Sequence, residues 1–215
     1  MTAVLVTGFE PFGGEHQNPS DLVLQALQGW QPAPGVEVHT LRLPCVYGHA
    51  LSVLDEALDR LRPTLVVALG QAASRDAVSV ERVAVNLDDA RIADNAGAQP
   101  VDLPVVPGGP AAYFSTLPVK AIVAELQAQG LPAELSHTAG SFVCNHVFYG
   151  LMHRLASRPG RRGGFVHLPC LPEQQRLLNG RPGLALAEQV RAVQVVVQAA
   201  LAHPVDLAVA AGRID

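Results

Sequence analysis

Apolar residues run almost unbroken through residues 3–7 (AVLVT) and 64–69 (TLVVAL). Such runs predict strands covered on both faces, because a strand with one wet face alternates apolar and polar positions. Residues 36–41 do alternate, and the short apolar stretches at 83–85, 133–136 and 164–168 predict further strands. Helical spacing appears between them. Leu22, Val23, Ala26 and Leu27 follow Pro19 and Ser20, a pair suited to open a helix. Leu51, Leu54, Leu58 and Leu61 mark a helix over 48–61 that Pro63 ends. Residues 120–129 form another, stopped by Gly130; Val147, Leu151 and Leu155 mark one over 145–156. Leu186, Val190, Val193, Val197 and Leu201 share the stripe of a final amphipathic helix.

Strands alternating with helices through short connections predict an α/β fold. The expected architecture is a single domain over 1–215, with a central mixed, twisted sheet flanked by helices on both faces. Two stretches fall outside the periodic pattern. The region from 70 to 109 is rich in Asp, Asn, Pro and Gly, and a loop of that length in a compact domain usually carries function. Residues 204–215 lie past the last helix and read as a flexible tail or an added strand.

The chain has 215 residues, of which 49% are hydrophobic and 16% charged. Its 15 Lys and Arg against 19 Asp and Glu leave a net charge of -4, with no basic cluster, which argues against nucleic acid as a partner. The first residues, MTAVLVTGFE, have no basic residue ahead of their apolar run, and that run is too short for a bilayer. A cytoplasmic protein that binds no membrane is the resulting expectation. Three cysteines, Cys45, Cys144 and Cys170, with no C-x-x-C pair, suit neither a disulfide framework nor a zinc site, so each is judged as a thiol.

Cys144 is the one thiol placed at the start of a helix, after a small-residue turn in which Ser141 can serve as N-cap. There, unpaired N–H groups and the positive end of the dipole favour a thiolate. Most free cysteines are simply small buried hydrophobes, and placement alone does not separate the two readings. His167 ends the strand FVHL, and the ends of strands are where α/β active sites collect. His146 is nearer in sequence, but two residues along a helix turn it about 200° away from the thiol. His146 and His153 have no carboxylate or third ligand beside them, so no metal site is expected. For the group that orients the imidazole, Glu81, Asp88, Asp89 and Asp94 are all available. Gly8 and Gly13 have phosphate-loop spacing, but Gly14 and Glu15 stand where Lys and Ser or Thr are required. Phe9 and Phe12, in the same turn, either wall an apolar ligand pocket or plug the core.

The segments VTGFEPFGG, LGQAASRDAVSVERVAVNLDDARIADN, GPAAYFSTLP, TAGSFVCNHVFYGLMH and GGFVHLPCLPEQ occur in this order from Val4 to about Gln175. Together they resemble the pyroglutamyl peptidase type I family, also known as pyrrolidone-carboxylate peptidases. The resemblance implies a cysteine peptidase that acts on N-terminally pyroglutamylated peptides and releases 5-oxoproline. It also implies no metal or cofactor, and a homotetramer. Carried over by motif, Cys144 is the nucleophile, His167 the base and Glu81 the orienter. Phe9, Phe12, Phe142 and Val143 would line the pyroglutamyl pocket, Gln71 would bond the lactam, and Arg91 would sit near the oxyanion. Departures fall at residues 72–74, where glycines are expected, at His137, where Asn is usual, and at Cys170, where an aromatic is usual. A glutaminase-type amidohydrolase would instead show a Gly-x-Cys-x-Gly elbow, which FVCNH lacks. A binding module with an inert Cys144 is the alternative outside enzymology.

Overall fold

The computed structural model describes residues 2–212. In chain order the elements are β1 (Thr2–Phe9), α1 (Pro19–Ala26), β2 (Val36–Leu43), α2 (His49–Leu61), β3 (Leu65–Gln71), β4 (Val78–Glu81) and β5 (Val83–Val85). They continue with β6 (Ala112–Phe114), α3 (Val119–Ala128), β7 (Ala133–Ser136), α4 (Val143–Ala156), β8 (Arg162–Leu168), α5 (Gln175–Leu178) and α6 (Leu186–Ala202). Six strands form one sheet in the order β2-β1-β3-β8-β4-β7, and β5 pairs with β6 in a small separate ribbon. All neighbours in the large sheet run parallel except β4 against β8. The expected mixed α/β sheet is therefore present.

The unbroken apolar runs have the predicted cause. In β1, Val4 and Val6 face one core while Leu5 faces the other; in β3, Leu65, Val67 and Leu69 face the first, and Val66 and Ala68 the second. The first core is closed by α1, α3 and α6, through residues such as Leu27, Ile122 and Val196. The second is closed by α2 and α4, through Leu54, Leu58, Val147 and Leu151. Each such fully buried side chain contributes about 1.5–3 kcal/mol relative to exposure, so two layers secure the sheet on both sides.

Several elements differ from the sequence-based expectation. The 70–109 stretch holds β4, whose four residues are all buried, and an isolated bridge between Asp88 and Leu103. A strand this short and this buried has no alternation by which to be read. Helix α4 begins at Val143, two residues early, with Phe142 as N-cap and no side-chain cap. Ser141 does not cap it; its hydroxyl donates to the Asp89 carbonyl. At the C-terminal end, residues 213–215 of the tail lie outside the described residues. Residues 204–212 form neither helix nor strand. They are tied to α3, because the Asp206 carboxylate accepts hydrogen bonds from the backbone N–H groups of Lys120 and Ala121.

Candidate active site

Three neighbouring strands and one helix converge on the thiol. Gly70, near the end of β3, pairs in register with His167 on β8. A Cβ placed on Gly70 would lie 2.8 Å from Cys144 Sγ and 2.8 Å from the Phe165 ring, so glycine is what makes room for the thiol over the sheet. Cys144 is the second residue of α4, and the N–H groups of that first turn have no partner within the helix. Its side chain is half-buried and packs against the second core.

Antiparallel pairing sets Ser79 opposite His167 and Glu81 opposite Phe165, which places Glu81 diagonally from His167 on the same face of the sheet. Glu81 is the last residue of β4 and is fully buried, at 0% exposure, while His167 is 4% exposed. Their contact is short, His167 Nδ1 to Glu81 Oε1 at 2.7 Å. The carboxylate therefore holds the proton on Nδ1 and leaves Nε2 as the nitrogen able to accept another. Arg75 Nη1 reaches the same oxygen at 2.5 Å and its Nη2 donates to the Thr138 carbonyl at 2.6 Å.

Burial pushes the Cys144 thiol up, electrostatic coupling to Cys45 and to Glu81 adds to the rise, and Arg75 opposes it. Placement at a helix start predicted a favoured thiolate; burial acts in the opposite direction, towards the neutral thiol. The other two thiols are raised as well. Cys45 is pushed up to about 12 by burial, then by Glu10 and Asp94. Burial raises Cys170, against lowering contributions from a Gln71 hydrogen bond and from Arg181.

The residues named for the pocket fall into two groups. Phe12, Arg91 and Phe142 line one cleft of about 220 Å³ together with Asp89, Ile92 and Ser141. The rings of Phe12 and Phe142 lie 6.0 Å apart, and Tyr47 meets Phe142 edge-on at 5.7 Å. Phe9 and Val143, by contrast, are 2% and 0% exposed and belong to the second core. Gln71 is buried at the end of β3, with its amide nitrogen donating to Gln174 Oε1 at 3.0 Å and to Cys170 Sγ at 3.1 Å. With both amide hydrogens occupied, its carbonyl oxygen is the group left to bind an N–H donor.

His146 is a satisfied structural residue. Its Nε2 accepts the Gly48 N–H at 3.0 Å and its Nδ1 meets Asp88 Oδ2 at 2.8 Å, so Asp88 is committed to it. Asp94 accepts the Tyr47 and Ala96 N–H groups, which leaves Glu81 as the acid on the imidazole of His167. His153 bonds the Tyr113 hydroxyl. Among the described residues no group of three or more His, Cys, Asp and Glu could hold a metal ion.

Sequence reasoning missed Arg75, Gln174 and Asn145. Fully buried Asn145, the residue after the thiol, accepts the Val85 N–H and donates to the Val85 and Leu87 carbonyls. A polar residue facing a helix's buried side next to a candidate nucleophile was the available signal.

Comparison with known proteins gives the family. The family described as Pyroglutamyl peptidase matches residues 2–203. The pyrrolidone-carboxylate peptidase of Cupriavidus taiwanensis is 54% identical over 216 residues, covering 100% of both chains. That of Klebsiella pneumoniae is 55% identical over 206 residues, covering 96% of each. The crystal structure of pyroglutamyl peptidase I from Bacillus amyloliquefaciens matches with TM-score 0.91 at 43% identity, covering 96% of this chain and 100% of that one. A mutant pyrrolidone carboxyl peptidase from the hyperthermophile Pyrococcus furiosus matches with TM-score 0.90 at 41% identity, covering 95% and 100%. With the agreement extending over nearly the whole chain in both sequence and three dimensions, this protein belongs to the pyroglutamyl peptidase family.

Proposed function

We propose that this protein is a cysteine peptidase that hydrolyses the bond after an N-terminal pyroglutamyl residue, with Cys144 as nucleophile, His167 as general base and acid, and Glu81 as the group that orients it. The observation that carries this reading is the buried 2.7 Å contact between Glu81 and His167 Nδ1, on the sheet face where Gly70 makes room for the Cys144 thiol. His167 takes the thiol proton as Sγ attacks the carbonyl carbon, and the resulting oxyanion is stabilised by N–H groups of the first turn of α4 with Arg91 beside the cleft. The tetrahedral species collapses, the C–N bond breaks, and His167 passes its proton to the leaving amine. Water, deprotonated by His167, then attacks the thioester; 5-oxoproline leaves and the thiol regains its proton.

Phe12 and Phe142 give the five-membered lactam an apolar wall, and the Gln71 carbonyl oxygen pairs its N–H. A site built around such a polar pairing discriminates strongly against a ring that lacks the groups. Cleavage of a pyroglutamyl-linked chromogenic amide, with prolyl and glutamyl amides as controls, tests the reading: release from the first alone is expected, and release from none of them overturns it. EDTA should leave the rate unchanged, since thiol and imidazole supply the chemistry; loss of rate restored by zinc would contradict that.

The same reading assigns a cytoplasmic homotetramer. Exposed Val101, Leu103 and Phe114 offer apolar surface for self-association, and the unpaired cysteines suit a reducing compartment. Light scattering coupled to gel filtration checks the assembly against the chain mass of 22.6 kDa.

A further inference from the structure

Glu81 serves two hydrogen-bond donors through one oxygen. Oε1 accepts from His167 Nδ1 at 2.7 Å and from Arg75 Nη1 at 2.5 Å, while Oε2 is buried with no hydrogen-bond partner among the described residues. Arg75 itself stands in the turn between β3 and β4, with its second nitrogen fixed by the Thr138 carbonyl just before α4. Its side chain is 18% exposed and lines an open cleft with Asp76, Glu134 and His137. It thus spans from that cleft to the buried carboxylate, and holds the loop that leads into Cys144.

We propose that Arg75 is a positioning residue for the reaction: by sharing Glu81 Oε1 with His167 it fixes the carboxylate and offsets part of its charge, so that His167 is ready to accept a proton rather than already holding one. The proposal rests on the Cys144-His167-Glu81 reading above. An unopposed buried carboxylate favours the imidazolium, and imidazolium cannot take the thiol proton. A guanidinium on the same oxygen competes with the imidazolium for that negative charge. The groups that surround His167 support a specific effect of Arg75. Gly70 pairs with His167 from β3 and has the Cys144 thiol of α4 against it, Glu81 comes from β4 and the Phe165 ring from β8 itself. Glu134 of β7 bonds Ser79, which stands opposite His167. Asp76, beside Arg75, is paired with Arg181. Arg75 is the one Lys or Arg in an ion pair with Glu81 among the described residues.

The test compares Arg75→Gln, which removes the charge, with Arg75→Lys, which keeps it, each checked for folding by circular dichroism. In Arg75→Gln the acidic limb of kcat/KM for a pyroglutamyl amide should move up by about one pH unit, with kcat/KM above the limb falling only a few-fold. Arg75→Lys should keep the wild-type limb. A second readout needs no substrate: the C2 proton resonance of His167, assigned by its loss in His167→Ala, should titrate at a correspondingly higher pH in Arg75→Gln. A limb and resonance that stay in place in Arg75→Gln, or that move equally in Arg75→Lys, overturn the proposal. If the wild type cleaves no pyroglutamyl amide at any pH, the proposed function fails and the resonance alone decides the role of Arg75.

Discussion

At the scale of single residues, Gly70 is the most constrained position in the site. Its Cα hydrogen faces both Cys144 Sγ and the Phe165 ring, and neither can withdraw easily because both sit against the second core. Gly70→Ala should fold, yet displace the thiol and lower kcat/KM on the order of 100-fold, since misplacement of a reacting atom by about 1 Å has that effect. Activity within a few-fold of wild type would show that the thiol has room to spare. The state of the thiol gives a second expectation. Burial raises Cys144, so its thiolate is scarce near neutrality and grows as pH rises. Iodoacetamide alkylation of Cys144 should keep accelerating from pH 7 towards pH 10. A rate already level by pH 7 would indicate a thiolate at rest. Cys144→Ser should lose about a thousandfold in rate while keeping the fold, because a hydroxyl is far harder to ionise.

At the scale of elements, two side chains hold segments that have no strong preference of their own. Asn145 clamps β5 and Leu87 beyond it to α4 with three hydrogen bonds, all on buried or half-buried groups. Asn145→Ala leaves those backbone groups without partners and should cost about 3 kcal/mol of stability, read by urea denaturation. A loss below about 1 kcal/mol would mean that β5 is held by its pairing with β6 instead. Asp206 does for α3 what no residue of α3 does for itself. Pro118, the N-cap, has no side-chain bond to offer, and the carboxylate of Asp206 takes the N–H groups of Lys120 and Ala121. Asp206→Ala should cost about 1 kcal/mol and expose the segment beyond residue 203 to limited proteolysis.

For the whole molecule, the second core closes over a thiol, Cys45, and this gives stability a pH dependence. The folded protein keeps Cys45 protonated up to about 12, whereas the unfolded chain releases that proton at the ordinary thiol value near 9.0. Between those values the unfolded state binds fewer protons, so stability falls as pH rises. The contribution is fully present below pH 9 and lost towards pH 12. Urea midpoints should therefore drop between pH 8 and pH 11, and Cys45→Ala should flatten the drop although it is less stable at pH 8. An equal drop in Cys45→Ala would assign the effect to other groups, of which Cys144, Cys170 and Tyr47, also raised by burial, are the first to examine.

What the sequence determined by itself is everything that repeats along the chain or sits within a few residues. The runs at β1 and β3 are apolar because both faces are covered, and the helical stripes of α2, α4 and α6 face the two cores. The start of α4 put Cys144 in a first turn, and the ordered motifs named the family before any coordinates did. Apart from the family resemblance, only the tertiary structure decided which acid meets the imidazole. Glu81 lies 86 positions from His167, and Asp88, Asp89 and Asp94, in a turn-rich stretch, were its rivals. The choice was made by β4, four buried residues inserted antiparallel to β8, a strand too short and too evenly buried to leave a period. The same holds for Arg75 on Glu81 and for Asp206 on α3. These contacts depend on where chain segments end up in space, and a contact between distant positions imposes no pattern on either one.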